Sequence, residues 1–437
     1  MNIILLSGGS GKRLWPLSND VRSKQFIKIF RKGKGEYLSM VQRIYGQIKE
    51  VDPNAEITIA TSKSQVSAIH NQLGEDVGIS VEPCRRDTFA AIALATAYLH
   101  DVKGIPENEA VVVCPVDPYV DTDYFRCLKT MCEAAENGTK NLVLMGIEPT
   151  YPSEKYGYIK PVKQEDGTIS YTFTEKPDAE KAKEYIAAGA LWNGGVFSYK
   201  LSYVLDKSKD LLGTSDYRTL FDNYASLKKI SFDYAVVEAE TSIEVIEYSG
   251  EWKDLGTWNT LTEAMSDPVI GDGILNDTCE NVHVINELGI PVLAMGLKNV
   301  VISASPDGIL ISDKVQSSYI KPYVDDISTQ IMFAEKSWGS YRVIDVEAES
   351  MTDKVTLNPG HKMNYHSHER RHEVWTVISG SGTAIVDGVK KEIAPSDVIV
   401  MPIGSKHTVI AGENGLQLIE VQVGKDITVS DKKKYEL

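Results

Sequence analysis

Four short segments that are almost entirely apolar constrain the fold of this chain more than any other feature. They lie at residues 3–6, 57–60, 111–114 and 142–145. Such runs are typical of parallel strands that are buried on both faces. Helical patterns separate them, for example at 88–100, where Asp87 is the expected cap, and at 124–136. We therefore predict a Rossmann-like α/β domain with a mostly parallel sheet, whose ligands bind at the carboxyl ends of its strands.

A change of pattern after residue 265 predicts how the chain divides into domains. Short strand-like pieces alternate there with glycine, asparagine and aspartate, at 282–285, 291–293, 300–303 and 309–312. Helical patterns vanish in this region. From residue 331 the chain is again rich in strand patterns, and Asp387-Gly388 between two apolar runs is a hairpin signature. We predict an α/β domain at 1–265, a small β-rich linker domain at 266–330 and a third domain at 331–437.

Composition and charge exclude several classes of function. The formal net charge of −15 over 437 residues disfavours binding to nucleic acid, which needs a basic face. No apolar run reaches the roughly 18 residues of a membrane span, and the N-terminus has no basic segment typical of a secretory signal. Five cysteines without a CxxC pair argue against a disulfide framework or a zinc ribbon. We expect a cytoplasmic protein that binds neither nucleic acid nor membranes.

The first apolar segment runs directly into a glycine-rich loop. Residues 7–17 read Ser-Gly-Gly-Ser-Gly-Lys-Arg-Leu-Trp-Pro-Leu. The glycines let the backbone approach a ligand with its N–H groups pointing inward, and Lys12 and Arg13 add cationic donors for a phosphate. The loop lacks the Walker A spacing, and Leu14 replaces the third glycine of a dinucleotide-binding fingerprint. A turn with a purely structural role is the alternative to a phosphate site.

The combination GGxGxRLxPL is far more specific and resembles the signature of the sugar-nucleotide pyrophosphorylases. Other segments resemble motifs of that family in the required order: 23–26, 114–117, 156–159, 174–177, 192–197, 231–235 and 252–258. Residues 82–88, Glu-Pro-Cys-Arg-Arg-Asp-Thr, resemble a segment of the mannose-1-phosphate guanylyltransferases. The end of the chain, at 419–424, resembles the bifunctional mannose-6-phosphate isomerase/mannose-1-phosphate guanylyltransferases. The resemblance covers nearly the whole chain and implies a nucleotidyltransferase domain at 1–265.

The resemblance also implies which residues bind the two substrates. The nucleotide-binding set is Leu6, Gly8, Gly9, Gly11, Lys12, Glu82, Arg86, Asp87 and Thr88. The sugar-binding set is Gly157, Glu175 and Asn193. In the implied reaction, an oxygen of a sugar 1-phosphate attacks the α-phosphorus of a nucleoside triphosphate and pyrophosphate leaves. Because both reactants are polyanions, catalysis requires charge neutralisation and positioning rather than a protein nucleophile.

Three cations and two carboxylates fit those requirements. Arg13 and Lys24 would neutralise the triphosphate, and Lys176 would meet the sugar phosphate. Asp117 and Asp254 are suited to holding Mg²⁺. Each also has a plainer interpretation, because an aspartate at a strand end is often a cap, and Lys176 is a plausible surface partner of Glu175.

A second motif, near the C-terminus, predicts a metal site. Gly360, His366, His368, Glu373 and Gly380 match the spacing G(x)5HxH(x)4E(x)6G of the first cupin motif. Two histidines at i and i+2 on a strand share one face. His407 follows Pro402 and Gly404 as in the second cupin motif, although the opening glycine and closing asparagine of that motif are absent. Three histidines and a glutamate suit Mn, Fe, Ni or Zn by ligand type. We predict a cupin β-barrel at 331–437.

The hypotheses concern two reactions. The leading one is synthesis of GDP-mannose and pyrophosphate from GTP and mannose 1-phosphate by a Mg²⁺-dependent homodimer. The cupin would add a mannose-6-phosphate isomerase activity, which interconverts mannose 6-phosphate and fructose 6-phosphate. The alternative is transfer to another sugar 1-phosphate, with the cupin as a non-catalytic sugar-binding or dimerisation module.

Overall fold

A nine-stranded sheet forms the centre of the first half of the chain. The structure is a computed structural model that describes residues 1–9, 12–19, 21–167, 169–325, 327 and 331–436. Seven strands lie in the spatial order Ile169–Thr174, Gly157–Lys163, Leu191–Lys200, Ala110–Pro115, Asn2–Ser7, Glu56–Ser62 and Gly78–Glu82. Leu142–Ile147 pairs with Leu191–Lys200 and with Ile243–Tyr248. The four strands predicted from apolar runs are therefore confirmed.

The central strands of this sheet are parallel and almost completely buried. Asn2–Ser7 is parallel to Ala110–Pro115 and to Glu56–Ser62, which is parallel to Gly78–Glu82. Leu191–Lys200 is antiparallel to its neighbours. Two outlying strand pairs flank the sheet: Lys28–Gly33 with Glu36–Ser39, and Pro118–Val120 with Trp252–Asp254. Parallel order brings the carboxyl ends of the central strands to one edge.

Helices cover both faces of the sheet, as the predicted Rossmann-like domain requires. They are Met40–Val51, Val66–Leu73, Asp87–Ala97, Thr122–Asn137, Ala179–Ala187, Leu201–Leu212, Tyr217–Asp222, Phe232–Ala235 and Trp258–Glu263. Met40–Val51 and Thr122–Asn137 pack into the core on one face, whereas Asp87–Ala97 and Leu201–Leu212 pack into the core on the other. None of the helices in the described part of the chain is long and apolar enough to cross a bilayer.

One detail of these helices differs from the sequence prediction. Asp87 is not a conventional cap: Arg86 occupies the N-cap position, and Asp87 has a φ of 68°. The Asp87 carboxylate accepts a hydrogen bond from the neighbouring backbone N–H of Thr88 instead. Aspartate adopts the left-handed region more readily than most residues because its short side chain bonds locally.

Short, mostly parallel strands follow the α/β part. They are Val269–Ile270, Gly273–Leu275, His283–Asn286, Val292–Ala294, Val300–Ser305 and Gly308–Asp313. All four pieces predicted here form strands, with boundaries shifted by one or two residues. A short helix, Lys321–Asp325, was not predicted. Ile285 and Val301 pack with Leu14 and Trp258 in one apolar cluster, which supports the turn that follows the glycine-rich loop.

The last part of the chain is a second nine-stranded sheet around its own core. Its strands are Phe333–Lys336, Gly339–Glu347, Ser350–Leu357, His366–His368, Arg371–Val386, Val389–Ile393, Val398–Met401, His407–Gly424 and Lys432–Lys434. The two longest strands pair with each other along most of their length. Trp375, Val377 and Leu418 are buried in its core. The predicted hairpin at Asp387-Gly388 is confirmed.

Arg22 connects the three parts of the chain. Its guanidinium donates to both carboxylate oxygens of Glu287, at 2.7 and 2.8 Å, and lies 5.1 Å from the ring centroid of Phe333. Gln72 donates to the Glu335 carboxylate at 2.7 Å. Arg22 is 7% exposed, so this contact is internal, and it lies two residues before Lys24.

Candidate active site and candidate metal centre

The glycine-rich loop leaves the sheet at the carboxyl edge of its central strands. Leu6 is the partner of Pro115 in the neighbouring strand, which places Gly8 and Gly9 beside the segment that carries Asp117. Gly9 has a φ of 124°, a conformation that favours glycine, and a Cβ at either glycine would face open space. Gly11 lies outside the described residues. The loop therefore presents backbone rather than side chains at this edge.

Buried amides hold the loop from below. Gln65 donates to Ser23 Oγ at 2.7 Å, and Ser23 Oγ donates to the carbonyl of Gly9 at 3.2 Å. Gln25 donates to Ser7 Oγ at 3.0 Å and to Gln65 Oε1 at 3.1 Å. Gln25 and Gln65 are each 1% exposed. A buried hydrogen-bond network of this kind rigidifies its surroundings, so it fixes the loop relative to the turn that carries Lys24.

The two cations that follow the loop lie in different environments. Arg13 is exposed. It forms no hydrogen bond or ion pair with another of the described residues. Lys12 pairs with Asp325 at 2.8 Å, a contact between residues 313 positions apart. Arg13 is therefore the cation of this turn that is directly available to a polyanion.

The segment 82–88 contributes an arginine that the sequence interpretation left out. Arg85 donates to the carbonyl of Gly9 at 3.1 Å, so it contacts the glycine-rich loop directly. Arg86, the residue chosen from the sequence, donates to the carbonyl of Ala225 instead. The structure therefore brings Arg85 to the loop and places Arg86 against a different segment.

Glu82 and Thr88 contact the segment 224–232, which follows the helix Tyr217–Asp222. Glu82 accepts a hydrogen bond from Tyr224 Oη at 2.7 Å, and burial raises the pKa of its carboxyl. Thr88 Oγ1 accepts from the backbone N–H of Phe232 at 2.8 Å. Asp87 is exposed at the start of its helix. Glu82 and Thr88 thus act in part as structural anchors for 224–232.

Lys24 lies between the two aspartates predicted to hold a divalent cation. Its Nζ is 2.7 Å from Asp117 Oδ2 and 3.5 Å from Asp254 Oδ1. Burial lowers the pKa of Lys24, but the two carboxylates outweigh burial and raise this pKa above its usual value. Asp117 follows the strand Ala110–Pro115, and Asp254 ends the strand Trp252–Asp254. Residues far apart in the chain therefore converge as predicted, and the paired carboxylates suit a hard cation such as Mg²⁺.

Gly157 and Glu175 approach each other closely at adjoining ends of the paired strands Gly157–Lys163 and Ile169–Thr174. A Cβ at Gly157 would lie 2.6 Å from Glu175 Oε2 and from the Phe173 ring, so only glycine fits. Lys176 forms an ion pair with Glu175, and its own side chain is 54% exposed. Lys176 is thus able to turn toward an anionic ligand while Glu175 stays in place.

Asn193 introduces a carboxylate that the sequence interpretation did not choose. Its amide donates to Asp233 Oδ1 at 2.7 Å, and its carbonyl oxygen accepts from the backbone N–H of Gly195 at 3.2 Å. Burial and the nearby charge of Glu175 raise the pKa of Asp233 to about 6. Asn193 and the two carboxylates form a compact set of groups that can bind sugar hydroxyls.

These groups line one cleft of about 220 Å³ that opens to solvent. Its walls include Asp117, Gly157, Glu175, Asn193, Asp233 and Asp254. Tyr156 and Trp252 add aromatic surface, with ring centroids 5.3 Å apart. The predicted sugar-binding residues and the predicted Mg²⁺ ligands therefore share a single cleft at the strand ends.

The cupin motif residues also converge, in the second sheet. The ligand atoms of His366, His368, Glu373 and His407 all lie within 4.8 Å of one another, and each residue is at most 2% exposed. The Nδ1 atoms of the three histidines lie 2.6, 2.9 and 2.9 Å from backbone carbonyls, which fixes Nδ1 as the protonated nitrogen. Every Nε2 is then a potential ligand atom.

The charges of this cluster fit a bound cation. His407 Nε2 and Glu373 Oε2 are 3.0 Å apart, and neither has a hydrogen-bond partner among the described residues. Two acceptors at that distance repel each other unless a cation lies near both. Burial, Lys432 and His407 lower the pKa of His366 to about 2, so its imidazole stays neutral, as metal ligation requires. Three imidazoles and a carboxylate suit a divalent transition metal.

Two protein families match the chain, one over each half. The profile of the Nucleotidyl transferase family matches residues 2–268, more than half of the chain. This protein belongs to the nucleotidyl transferase family. Residues 326–436 match a second family, Mannose-6-phosphate isomerase C-terminal, over the sheet that contains the three histidines. The family resemblance inferred from the sequence motifs is confirmed.

Relatives of this nucleotidyl transferase match it along its whole length. Xanthan biosynthesis protein XanB of Xanthomonas campestris pv. campestris is 30% identical, and the match covers 99% of this chain and 97% of XanB. A mannose-1-phosphate guanylyltransferase of Escherichia coli is 28% identical with the same coverage. A crystal structure from Thermus thermophilus, described as that of a mannose-1-phosphate geranyltransferase, is 30% identical with a TM-score of 0.62. The structural match covers 74% of this chain and 98% of the other.

The nucleotidyl transferase site contains groups that were not chosen as site residues from the sequence. Arg85 and Asp233 lie within the family-like segments 82–88 and 231–235. Gln65 lies outside every motif. Its role depends on side-chain contacts with residues distant in the chain, such as Ser23, which a linear sequence does not reveal.

Asp233→Asn is expected to stabilise this nucleotidyl transferase at neutral pH. The folded pKa of about 6 lies above the usual 3.8, so the charged form is disfavoured in the folded state. The resulting cost is present above pH 6 and disappears as pH falls to about 4. Each pKa unit corresponds to about 1.4 kcal/mol, and for this half-buried side chain we expect a gain of about 1–2 kcal/mol at pH 7.5. Urea unfolding at pH 7.5 and 4.5 measures it, with the exposed Asp222→Asn as control. An equal effect at both pH values would contradict this explanation.

Proposed function

We propose that this protein is a mannose-1-phosphate guanylyltransferase, which makes GDP-mannose and pyrophosphate from GTP and mannose 1-phosphate. The single observation that carries the proposal is the convergence of Lys24, Asp117 and Asp254 in a cleft whose far end contains Glu175, Asn193 and Asp233. The relative in Escherichia coli with that name supports the choice of nucleotide and sugar. We further propose a cytoplasmic homodimer whose chain divides into domains at residues 265 and 330.

The reaction follows from the placement of charges. An oxygen of mannose 1-phosphate attacks the α-phosphorus of GTP, a new P–O bond forms, and the bond to pyrophosphate breaks. Arg13 and the loop N–H groups, with Arg85 alongside, neutralise the triphosphate, while Lys24 donates to an oxygen near the reacting phosphorus. Lys176 turns from Glu175 to the sugar phosphate. Mg²⁺, when held by Asp117 and Asp254, would offset the charge that develops on the phosphates.

Sugar selection depends on the hydroxyl-binding end of the cleft. Glu175 and Asp233 accept hydrogen bonds, and Asn193 both donates and accepts. A site built to bind hydroxyl groups discriminates strongly against an analogue that lacks one, because its buried polar groups then lose their partners. The decisive experiment is a matrix of four nucleoside triphosphates against several sugar 1-phosphates, measured by pyrophosphate release. GTP with mannose 1-phosphate should give the highest kcat/KM, and a clear preference for another sugar 1-phosphate would overturn the proposal.

A second activity is favoured by the metal centre. The three histidines and Glu373 are buried together, and the family matched at 326–436 is that of an isomerase C-terminal domain. We infer that the cupin interconverts mannose 6-phosphate and fructose 6-phosphate with a divalent transition metal bound. The mannose 6-phosphate that it makes would become a substrate for the nucleotidyl transfer site once its phosphate has moved from O6 to the anomeric oxygen. Incubation of the metal-loaded full-length chain with fructose 6-phosphate tests this activity.

The double substitution His366→Ala and His407→Ala is expected to remove the transition metal and leave guanylyl transfer intact. Two of four ligands are lost, whereas the proposed Mg²⁺ ligands belong to the other half of the chain. Elemental analysis and pyrophosphate release measure the two outcomes. The exposed His372→Ala is the matched control and should retain the metal. Loss of transfer activity in a double variant that remains folded would show that the two sites are coupled.

A further inference from the structure

The second sheet contains a cavity of about 340 Å³, partly open to solvent, that the metal ligands do not account for. Its lining combines aromatic surface from Trp338 and Tyr341 with charged groups of both signs. Arg371 joins the cavity to the metal centre, because it lines the cavity and also donates to Glu373 Oε1 at 3.1 Å. A ligand in this cavity would therefore lie next to the cluster of three histidines.

Two carboxylates line the cavity from neighbouring strands, but only one has an unpartnered oxygen. Glu420 accepts from Trp375 Nε1 at 3.1 Å and from Gln422 Nε2 at 2.7 Å, so both its oxygens have donors. Gln422 Nε2 also donates to Asp353 Oδ2 at 2.9 Å. Asp353 Oδ1 is buried without a hydrogen-bond partner in the described part of the chain. A buried, unpartnered carboxylate oxygen is costly and is therefore a sign of function.

Cations line the same cavity. Lys336 and Lys432 face it together with Arg371. Lys336 and Lys432 are both half-buried. A phosphate dianion would pair with these groups, and Asp353 and Glu420 are the carboxylates of the lining that compete for them.

We propose that Asp353 is the catalytic residue that moves a proton between adjacent carbons of an open-chain sugar phosphate bound in this cavity, with Gln422 and Glu420 holding it in place. This role rests on the proposed isomerase activity. Asp353 is 5% exposed and lies on a strand, Ser350–Leu357, that carries none of the four metal ligands, so its position does not depend on them. Gln422 donates to Oδ2, whereas the buried Oδ1 has no hydrogen-bond partner among the described residues, so Oδ1 is the oxygen left to accept a proton.

The proton transfer balances without any co-reactant. Asp353 Oδ1 takes the proton from C2 of the open-chain aldose, the C2–H electron pair becomes the C1=C2 double bond, and the carbonyl oxygen O1 gains a proton. Asp353 then delivers its proton to C1, the hydroxyl on C2 loses its proton, and C2 becomes the carbonyl. The proton gained by O1 equals the one lost from O2. The bound metal would polarise the oxygens on these carbons.

The test compares Asp353→Asn with the exposed Asp345→Asn in the full-length, metal-loaded protein. General acid–base groups typically contribute about 10²–10⁴-fold, so interconversion of the hexose 6-phosphates should fall about 100-fold or more in Asp353→Asn only. Transition-metal content and guanylyl transfer should remain at the wild-type level. Isomerisation by Asp353→Asn at the wild-type rate would overturn the role of Asp353 and leave the isomerase proposal standing. A metal-loaded wild type without isomerase activity would overturn both.

A second measurement uses the wild type and does not depend on the folding of a variant. An epoxide analogue, 1,2-anhydrohexitol 6-phosphate, esterifies the carboxylate that lies against C1 and C2 of the substrate. We expect the ester on Asp353, located by peptide mass spectrometry, and protection by fructose 6-phosphate. An ester on Glu420 or on any other carboxylate would overturn the assignment.

Discussion

Arg13→Ala is expected to lower guanylyl transfer by about 100-fold or more while leaving the fold intact. The side chain is exposed in a short turn directly after the glycine-rich loop, so its loss removes no core packing. Its positive charge is pre-positioned for the transferring phosphates, and removing one such group typically costs about 10²–10³ in kcat. Pyrophosphate release at saturating GTP and mannose 1-phosphate measures the loss.

Arg218→Ala provides the matched control for this variant. Arg218 is 87% exposed on the helix Tyr217–Asp222, outside the lining of the cleft. The control should have wild-type activity, and both variants should have the wild-type melting temperature. Normal turnover by Arg13→Ala, or its unfolding, would contradict the assignment of this turn to phosphate binding.

Asp117→Asn and Asp254→Asn should each abolish most of the Mg²⁺-dependent transfer. The neutral amide is a poor ligand for a hard cation. Each change also removes one of the two carboxylates that contact Lys24, at 2.7 and 3.5 Å. With one carboxylate left, the pKa of Lys24 falls toward its usual value. The measurement is the initial rate as a function of Mg²⁺ concentration, and we expect a drop of about 10²-fold or more at every concentration.

The controls separate metal binding from a general loss of negative charge. Asp206→Asn removes an exposed carboxylate from the helix Leu201–Leu212 and should leave the Mg²⁺ dependence unchanged. The wild type should lose activity in EDTA and regain it with added Mg²⁺. Full activity in EDTA, or an Asp254→Asn variant with unaltered Mg²⁺ dependence, would contradict the proposed role of the pair.

The first half of the fold was predictable because buried parallel strands consist of nearly continuous apolar runs. The strand Asn2–Ser7 and its two parallel neighbours contain mostly apolar residues, so the sequence predicted these strands clearly. The long strands of the second sheet were harder to predict. Arg371–Val386 contains Gly380, with a φ of 79°, at a point where the pairing register shifts. A glycine inside a strand indicates a turn when the partner strand is unknown.

The candidate sites also contain residues that local sequence predicts and residues that only strand pairing brings into place. His366, His368 and Glu373 were predictable because they lie close together in the sequence, on two successive strands, and alternation along a strand decides which face its side chains share. Asp353, in contrast, lies in an ordinary alternating strand, and only the pairing of that strand with His407–Gly424 brings it to the cavity. Local spacing therefore revealed the metal ligands, whereas the groups around a substrate depend on strand pairing.

The contact around Arg22 determines where this polypeptide can be divided. A cut after residue 330 would remove two contacts: the Phe333 ring beside the Arg22 guanidinium, and the Glu335 carboxylate that accepts from Gln72. Gln72 also donates to the carbonyl of Phe26, at the end of the turn that carries Lys24, so the damage would reach the guanylyltransferase half. A chimaera that joins residues 1–330 to the barrel of a relative would have to keep an aromatic residue at 333 and an acceptor at 335. Side chains remote from both reactions thus restrict which halves evolution or an engineer can recombine.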